Sequence, residues 1–248
     1  MIEFKQFIFG CKTHHCRLNF SRLPNNGLIA VVGVNGSGKT TFFESILGIR
    51  KHEGYVEVDK RNISKKEFEY FSYIPQNIIS SIRLPAKEWI LQGVAPYRSA
   101  FYIPNKDDED KLSLLIEKYP IISEDLLSRH VSTLSGGELK KCAILRCLLQ
   151  NTIFIIMDEI FAQLDLETCM ELRNILTELK RDHLILVSIH DTFALHYMDS
   201  AIYINKNNDN TRVFNRTDHM EKAICEIYKD NIMNKNDYIT TTDGYILY

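Results

Sequence analysis

The stretch Gly33-Val34-Asn35-Gly36-Ser37-Gly38-Lys39-Thr40 matches the pattern G-x-x-x-x-G-K-[ST]. It follows the apolar run 28–32 and opens a helical run at 40–47 that Gly48 closes, the strand–loop–helix context the pattern requires. Glycines let the backbone curl so that successive N–H groups face one anion, and the helix N-terminus adds partial positive charge. Lys39 then sets an ammonium on terminal phosphates, and the Thr40 hydroxyl is suited to Mg²⁺. A chance match in a chain of this length is on the order of 1%. Gly33 through Thr40, with Thr41 following, are the candidate nucleotide-binding residues.

Working outward, the apolar run 153–157 ends in Asp158-Glu159. A buried strand that ends in two carboxylates sets them at the C-terminal edge of a parallel sheet, where ligands of such sheets bind. Asp158 is suited to holding Mg²⁺ through water, and Glu159 to polarising a water for in-line attack on a γ-phosphate. Taken alone, the pair reads equally as a solvated strand exit; the phosphate-loop pattern favours the functional reading. Leu134-Ser135-Gly136-Gly137-Glu138 opens a helix reaching about 149, and Ser135 with Glu138 satisfies the capping-box pattern. A well-capped helix start explains Ser135 and Glu138 but not two glycines, each costing about 1 kcal/mol relative to Ala. Bare N–H groups at a helix tip make sense if an anion must approach them.

The remaining chain supplies the scaffold. Period-2 and short apolar runs predict strands at 2–9, 16–20, 28–32, 55–58, 70–74, 153–157, 184–188 and 201–204. Leu172, Leu176 and Leu179 form one stripe of a helix over 166–180. Alternating strands and helices mean an α/β core. Between 77 and 133 the prolines punctuate helical stretches near 87–93 and 107–119, read as an inserted helical lobe. The tail predicts a helix over 218–229 and a hairpin at Asp243-Gly244.

The 248 residues are 45% apolar and 25% charged, an ordinary globular mixture, so disordered and fibrous classes are excluded. Thirty Lys+Arg against 32 Asp+Glu give a net charge of −2, without the basic excess of a nucleic-acid binder. No apolar run is long enough to span a bilayer and no secretory signal is evident, so the expectation is a cytoplasmic chain. Six cysteines show no disulfide spacing. Cys11, His14, His15 and Cys16 could touch a zinc ion, but structural zinc sites draw two ligand pairs from separated segments, so a tight turn between strands is the favoured reading.

Taken in order, the phosphate loop, Gln76 in Tyr73-Ile74-Pro75-Gln76, Leu134 to Glu138, Asp158-Glu159, Ala162-Gln163-Leu164-Asp165 and Ser188-Ile189-His190-Asp191 resemble the ATP-binding-cassette (ABC) ATPase family over at least residues 1–205. The resemblance implies a P-loop NTPase core of the ABC type at 1–76 and 134–205, with an N-terminal antiparallel β portion, a helical subdomain at 77–133 and a C-terminal extension at 206–248. It implies ATP and Mg²⁺ as ligands and ATP hydrolysis as the reaction. Gln76 would contact Mg²⁺ and the attacking water, His190 the γ-phosphate, and Asp165 the dimer interface. Two copies would stack head to tail, with Ser135, Gly136, Gly137 and Glu138 of one closing over the phosphate loop of the other. Phe9 is the candidate for stacking on adenine, with Phe7 as the alternative and core packing as the competing role.

Three departures stand out. Glu138 stands where the family usually has Gln, and the capping argument favours it. Lys140-Lys141 replaces Gln-Arg, which weakens a structural contact. Ile160-Phe161 replaces Pro-Thr, which leaves the turn after Glu159 less rigid in φ. The stretch from Leu84 through Trp89, Pro96 and Phe101 is similar to cassettes serving importers of iron chelates, cobalamin and metals. The resemblance then implies integral membrane permease subunits as partners, peripheral attachment to the inner face of the cell membrane, and no nucleic acid. An exporter ATPase, or a soluble cassette of iron–sulfur cluster assembly, are the alternatives.

Overall fold

The computed structural model describes residues 2–11, 14–18, 22–63, 70–78, 81, 83–97, 102–189, 192–204 and 211–215. In chain order the first elements are β1 (Ile2–Cys11), β2 (His14–Arg17), β3 (Arg22–Leu23), β4 (Gly27–Val32), α1 (Lys39–Ile46), β5 (Glu53–Val58), β6 (Arg61–Ile63) and β7 (Phe71–Ile74). Next come α2 (Ala86–Leu91), α3 (Lys106–Lys118), α4 (Glu124–Ser128), α5 (Gly136–Leu149) and β8 (Phe154–Met157). The last are α6 (Leu166–Leu179), β9 (Leu184–Ser188), β10 (Ser200–Ile204) and β11 (Thr211–Asn215). The described residues form two compact units, one drawn from 1–24, 28–63 and 188–248, the other from 25–27 and 64–187.

In the first unit β1 is the centre of an antiparallel sheet. It pairs with β2 at Phe9↔Cys16, with β3 at Ile2↔Leu23 and with β5 at Phe4↔Val56, and β6 extends β5. Gln6 sits at φ +50° and the register against β5 shifts between Lys5 and Ile8. A one-residue bulge reverses the alternation of faces, so Phe7 and Phe9 are buried along with Ile2 and Phe4. Phe4 meets Phe7 edge-on at 5.3 Å, and Phe9 lies 5.0 Å from Phe42 of α1. Such pairs contribute about 0.5–1.5 kcal/mol beyond area burial. The same unit carries β4 parallel to β10 at Val31↔Ile202, with β11 antiparallel on β10. After α1, Gly48 takes φ +68° and donates to the Ser45 carbonyl at 3.0 Å, the C-terminal stop read from the sequence.

In the second unit β7, β8 and β9 run parallel, with Ser72↔Ile155↔Ile185 in register. Every residue of β8 and β9 is buried, as a strand covered on both faces requires. Helix α5 buries Cys142, Ala143, Leu145 and Leu149. Arg146 holds α2 to it, with its guanidinium 4.6 Å from the Trp89 ring and Nη1 donating to the Trp89 carbonyl at 2.8 Å. Helix α3 starts from a complete capping box between Asn105 and Asp108. Between 77 and 133 the described residues hold helices and one isolated bridge, Pro85↔His130, in agreement with a helical reading.

The structure corrects three details. The second strand is His14–Arg17, not 16–20, so Cys11 pairs with His14 across a hairpin. Strands β3 and β6 and helix α4 are too short for a periodicity reading, and β11 lies where the tail reads as polar. The expected tail helix and Asp243-Gly244 hairpin lie outside the described residues.

Candidate nucleotide site

The first unit holds the phosphate-loop residues. Gly33, Gly36 and Gly38 sit at φ +158°, +74° and +107°, which side chains disfavour. A Cβ on Gly33 would also strike the Ile204 carbonyl oxygen and lie 2.5 Å from Ser37 Oγ. Lys39 is buried; its ammonium curls back on the loop, donating to the carbonyls of Gly33 at 2.8 Å and Val34 at 3.3 Å. Ser37 is buried too, and its Oγ finds no hydrogen-bond partner among the described residues. A loop bent at three glycines, with a confined ammonium and an orphaned hydroxyl, fits a phosphate group.

The second unit holds the carboxylates. Asp158 is 1% exposed, and its N–H donates to the Ile74 carbonyl at 2.8 Å, where β7 and β8 end side by side. Glu159 is half-buried at φ +52°, and Gln76 Nε2 donates to its Oε2 at 2.6 Å. The Asp158 carboxylate and the Gln76 amide oxygen are hard oxygen donors of the kind Mg²⁺ takes, and the Thr40 hydroxyl of the first unit is another donor of that kind. Lys140 donates its ammonium to the carbonyls of Glu159, at 3.3 Å, and Ala162. Burial lowers its pKa from the ordinary lysine value. The expected weakening at Lys140-Lys141 is therefore corrected: Lys140 grips the turn, and Lys141 pairs with Glu171 at 2.6 Å.

Also in the second unit, α5 begins as the sequence predicts. The Ser135 N–H donates to Glu138 Oε2 at 2.7 Å, and the Glu138 N–H to Ser135 Oγ at 3.3 Å. Arg129 grips the same carboxylate at 2.6 and 3.3 Å. The Ser135 N–H first, then Arg129, hold the Glu138 carboxyl below its ordinary value. Glu138 is thus engaged within its own chain, as the capping argument expects. A Cβ on Gly136 would meet nothing within 4 Å, and one on Gly137 only ordinary contacts, the nearest Leu164 at 3.6 Å. Asp165 caps α6 through the Thr168 N–H at 2.8 Å and the Thr168 hydroxyl at 2.8 Å, which lower its pKa.

Two candidates fare differently. Phe9 is 2% exposed and packed against Phe7 and Phe42, so it is a core residue and not an adenine platform. Phe7, 1% exposed beside His52, is core as well. His190 lies outside the described residues. Among the described residues no group of His, Cys, Asp and Glu is arranged to hold a metal ion by itself, and Cys16, facing Phe9, is buried. Sequence reasoning missed Arg129; a basic residue close before a capped helix start is too common to single out.

Comparison with known proteins agrees with this arrangement. The family model described as ABC transporter matches residues 17–162. The "Chelated iron transport system membrane protein YfeB" of Yersinia pestis is 32% identical over 190 residues, covering 74% of this chain and 64% of that protein. The "Probable iron chelatin transport ATP-binding protein" of Helicobacter pylori is 30% identical over 183 residues, 71% of each chain. Among solved structures, an inward-facing metal-chelate type ABC transporter superposes with a TM-score of 0.77 at 20% identity, over 92% of this chain and 88% of that one. A dimeric bacterial ABC transporter cassette gives 0.71 at 22% identity, over 87% and 98%. No described helix is long and apolar enough to cross a membrane. With the family model matched over 17–162 and relatives at 30% identity or more, the chain belongs to the ABC transporter family, as an ATP-binding, ATP-hydrolysing cassette.

Proposed function

We propose that the chain powers import of a metal ion or metal chelate through separate integral membrane permease subunits. It would work as a head-to-tail homodimer, attached to the membrane through those partners. Relatives named for iron, manganese and zinc transport support the cargo class. The observation that carries the dimer reading is the open tip of α5, where Gly136 has space around it and Glu138 is already consumed by the cap. Mg²⁺, when bound, would neutralise charge on the β- and γ-phosphate oxygens. Lys39 leaves its carbonyl partners for the phosphates, while the loop N–H groups face them. Thr40, Asp158 and Gln76 would be the residues that hold the metal. Glu159, oriented by Gln76, accepts the proton of the attacking water. Gly136 and Gly137 offer N–H groups to the nucleotide on the partner copy, with Asp165 nearby in the interface and His190 on the γ-phosphate.

The test joins chemistry to partner. Purified protein should hydrolyse Mg·ATP, Lys39→Ala should lose nucleotide binding, and Glu159→Gln should bind ATP and form a stable dimer by light scattering. Capture from detergent-solubilised membranes should recover an integral membrane subunit, and depletion should reduce cellular metal uptake. Recovery of soluble scaffold proteins, with uptake unchanged, would refute the transport reading.

A further inference from the structure

The turn that carries Glu159 is bent against preference. Glu159 and Gln163 hold φ of +52° and +60°, a region non-glycine side chains disfavour. The residues between them are Ile160, Phe161 and Ala162, none of which presets φ as proline does. Inside the turn, the Ala162 N–H donates to the Glu159 carbonyl at 3.1 Å. A further restraint comes from another element. Lys140 directs its ammonium at both ends of the turn, the carbonyls of Glu159 and Ala162. It stands four residues after Gly136 on α5, so the two share a helix face. One side chain therefore ties the open glycine tip to the backbone that aims Glu159 at Gln76.

We propose that Lys140 is a positioning residue for hydrolysis, holding the Glu159 turn in its left-handed bend and coupling that turn to the tip of α5. The proposal rests on Glu159 being the base. In a head-to-tail dimer the α5 tip serves the partner's nucleotide while Glu159 serves its own. Engagement of one nucleotide by the tip is then felt, through Lys140, by the carboxylate acting on the other. A base misplaced by about 1 Å costs on the order of 10²-fold in rate, whereas ATP binding by the phosphate loop does not use this turn. Loss of Lys140 is therefore felt in turnover and not in affinity.

The test is steady-state Mg-ATPase activity of the full chain beside equilibrium binding of a fluorescent ATP analogue. Lys140→Met should lower kcat by roughly tenfold or more with affinity within about threefold, and Lys140→Arg, which keeps a cationic donor, should recover most of the rate. In the Glu159→Gln background the same change should cost less than about twofold, because the group it positions is gone. Turnover of Lys140→Met within about twofold of the native protein, a parallel loss of affinity, or an Arg variant as slow as the Met variant would each overturn the proposal. If Lys140→Met does not fold, Lys140→Leu is measured against the same thresholds, and failure of both to fold while Lys140→Arg folds and turns over slowly overturns it too. If Glu159→Gln itself turns over at the native rate, the base assignment falls first. If only Lys140→Met is unimpaired, that assignment survives and the positioning role does not.

Discussion

Replacing Gly136 by alanine should make the protein more stable and a poorer ATPase. Gly136 is the first residue of α5, and an added Cβ would meet nothing within 4 Å, so no packing penalty opposes the change. Glycine in a helix costs up to about 1 kcal/mol relative to alanine; in the first turn about half of that is expected. The expected gain is therefore about 0.5 kcal/mol. The sole tryptophan, Trp89, lies on α2 against Arg146 of α5, so its fluorescence reports unfolding of the unit that carries the substitution. With a urea slope of about 3 kcal/mol/M the midpoint rises by about 0.2 M. On the proposed head-to-tail dimer activity moves the other way, because the methyl would stand where a phosphate of the partner's nucleotide approaches; a loss of roughly tenfold or more in kcat/KM is expected. A Gly136→Ala protein of native activity would refute the reasoning, since the glycine would then serve no approach from outside. A destabilised protein would refute it differently, by showing an intramolecular role that the open surroundings deny.

Other consequences are as direct. Glu138→Ala removes the acceptor for the Ser135 N–H and the Arg129 pair, costing about 1–2 kcal/mol by urea unfolding at pH 7. Because the folded carboxyl lies below the ordinary value of 4.5, its contribution is present above that pH and lost as pH falls through the folded value, so the native and mutant curves should converge in acid. Gly33→Ala, forced against the Ile204 carbonyl at a φ alanine avoids, should lower stability by about 3 kcal/mol and the melting temperature by about 10 °C. Burial pushes the Cys142 and Cys147 thiols up to about 12, so a maleimide at pH 8 should label them only after denaturation; rapid labelling of the folded protein would contradict the packing of α5.

What could be read from sequence was what is encoded within a few consecutive residues. The phosphate loop, the Ser135–Glu138 cap and the buried strand ending at Asp158 each need only local chemistry, and each has the local conformation its residues require. Phe9 shares the core face with Phe4 because β1 contains a bulge. A strict alternation sends Phe7 and Phe9 to the face opposite Phe4; the irregularity at Gln6 brings all three to the core. Nothing in the string Phe4-Lys5-Gln6-Phe7 announces that reversal, because a bulge is decided by the pairing with β5, a strand far along the chain. Short strands such as β6 are invisible for a related reason: three residues hold too few alternations to count.

The departures from the family pattern show the same division between local and distant causes. Read one at a time, Ile160-Phe161 loosens the turn after Glu159 and Lys140-Lys141 weakens the start of α5. In the folded chain the two offset each other. A turn without proline lacks a preset φ, and a lysine ammonium, with three N–H groups on a flexible stem, fastens it by bonding two of its carbonyls. Lys141, freed from that role, pairs with Glu171 of α6 instead. Substitutions that look like independent losses are in this way one exchange, in which rigidity moves from the backbone of the Glu159 turn to a side chain arriving from α5. That exchange also changes what the turn responds to: a proline would hold it whatever α5 does, whereas Lys140 holds it only as long as α5 keeps its place.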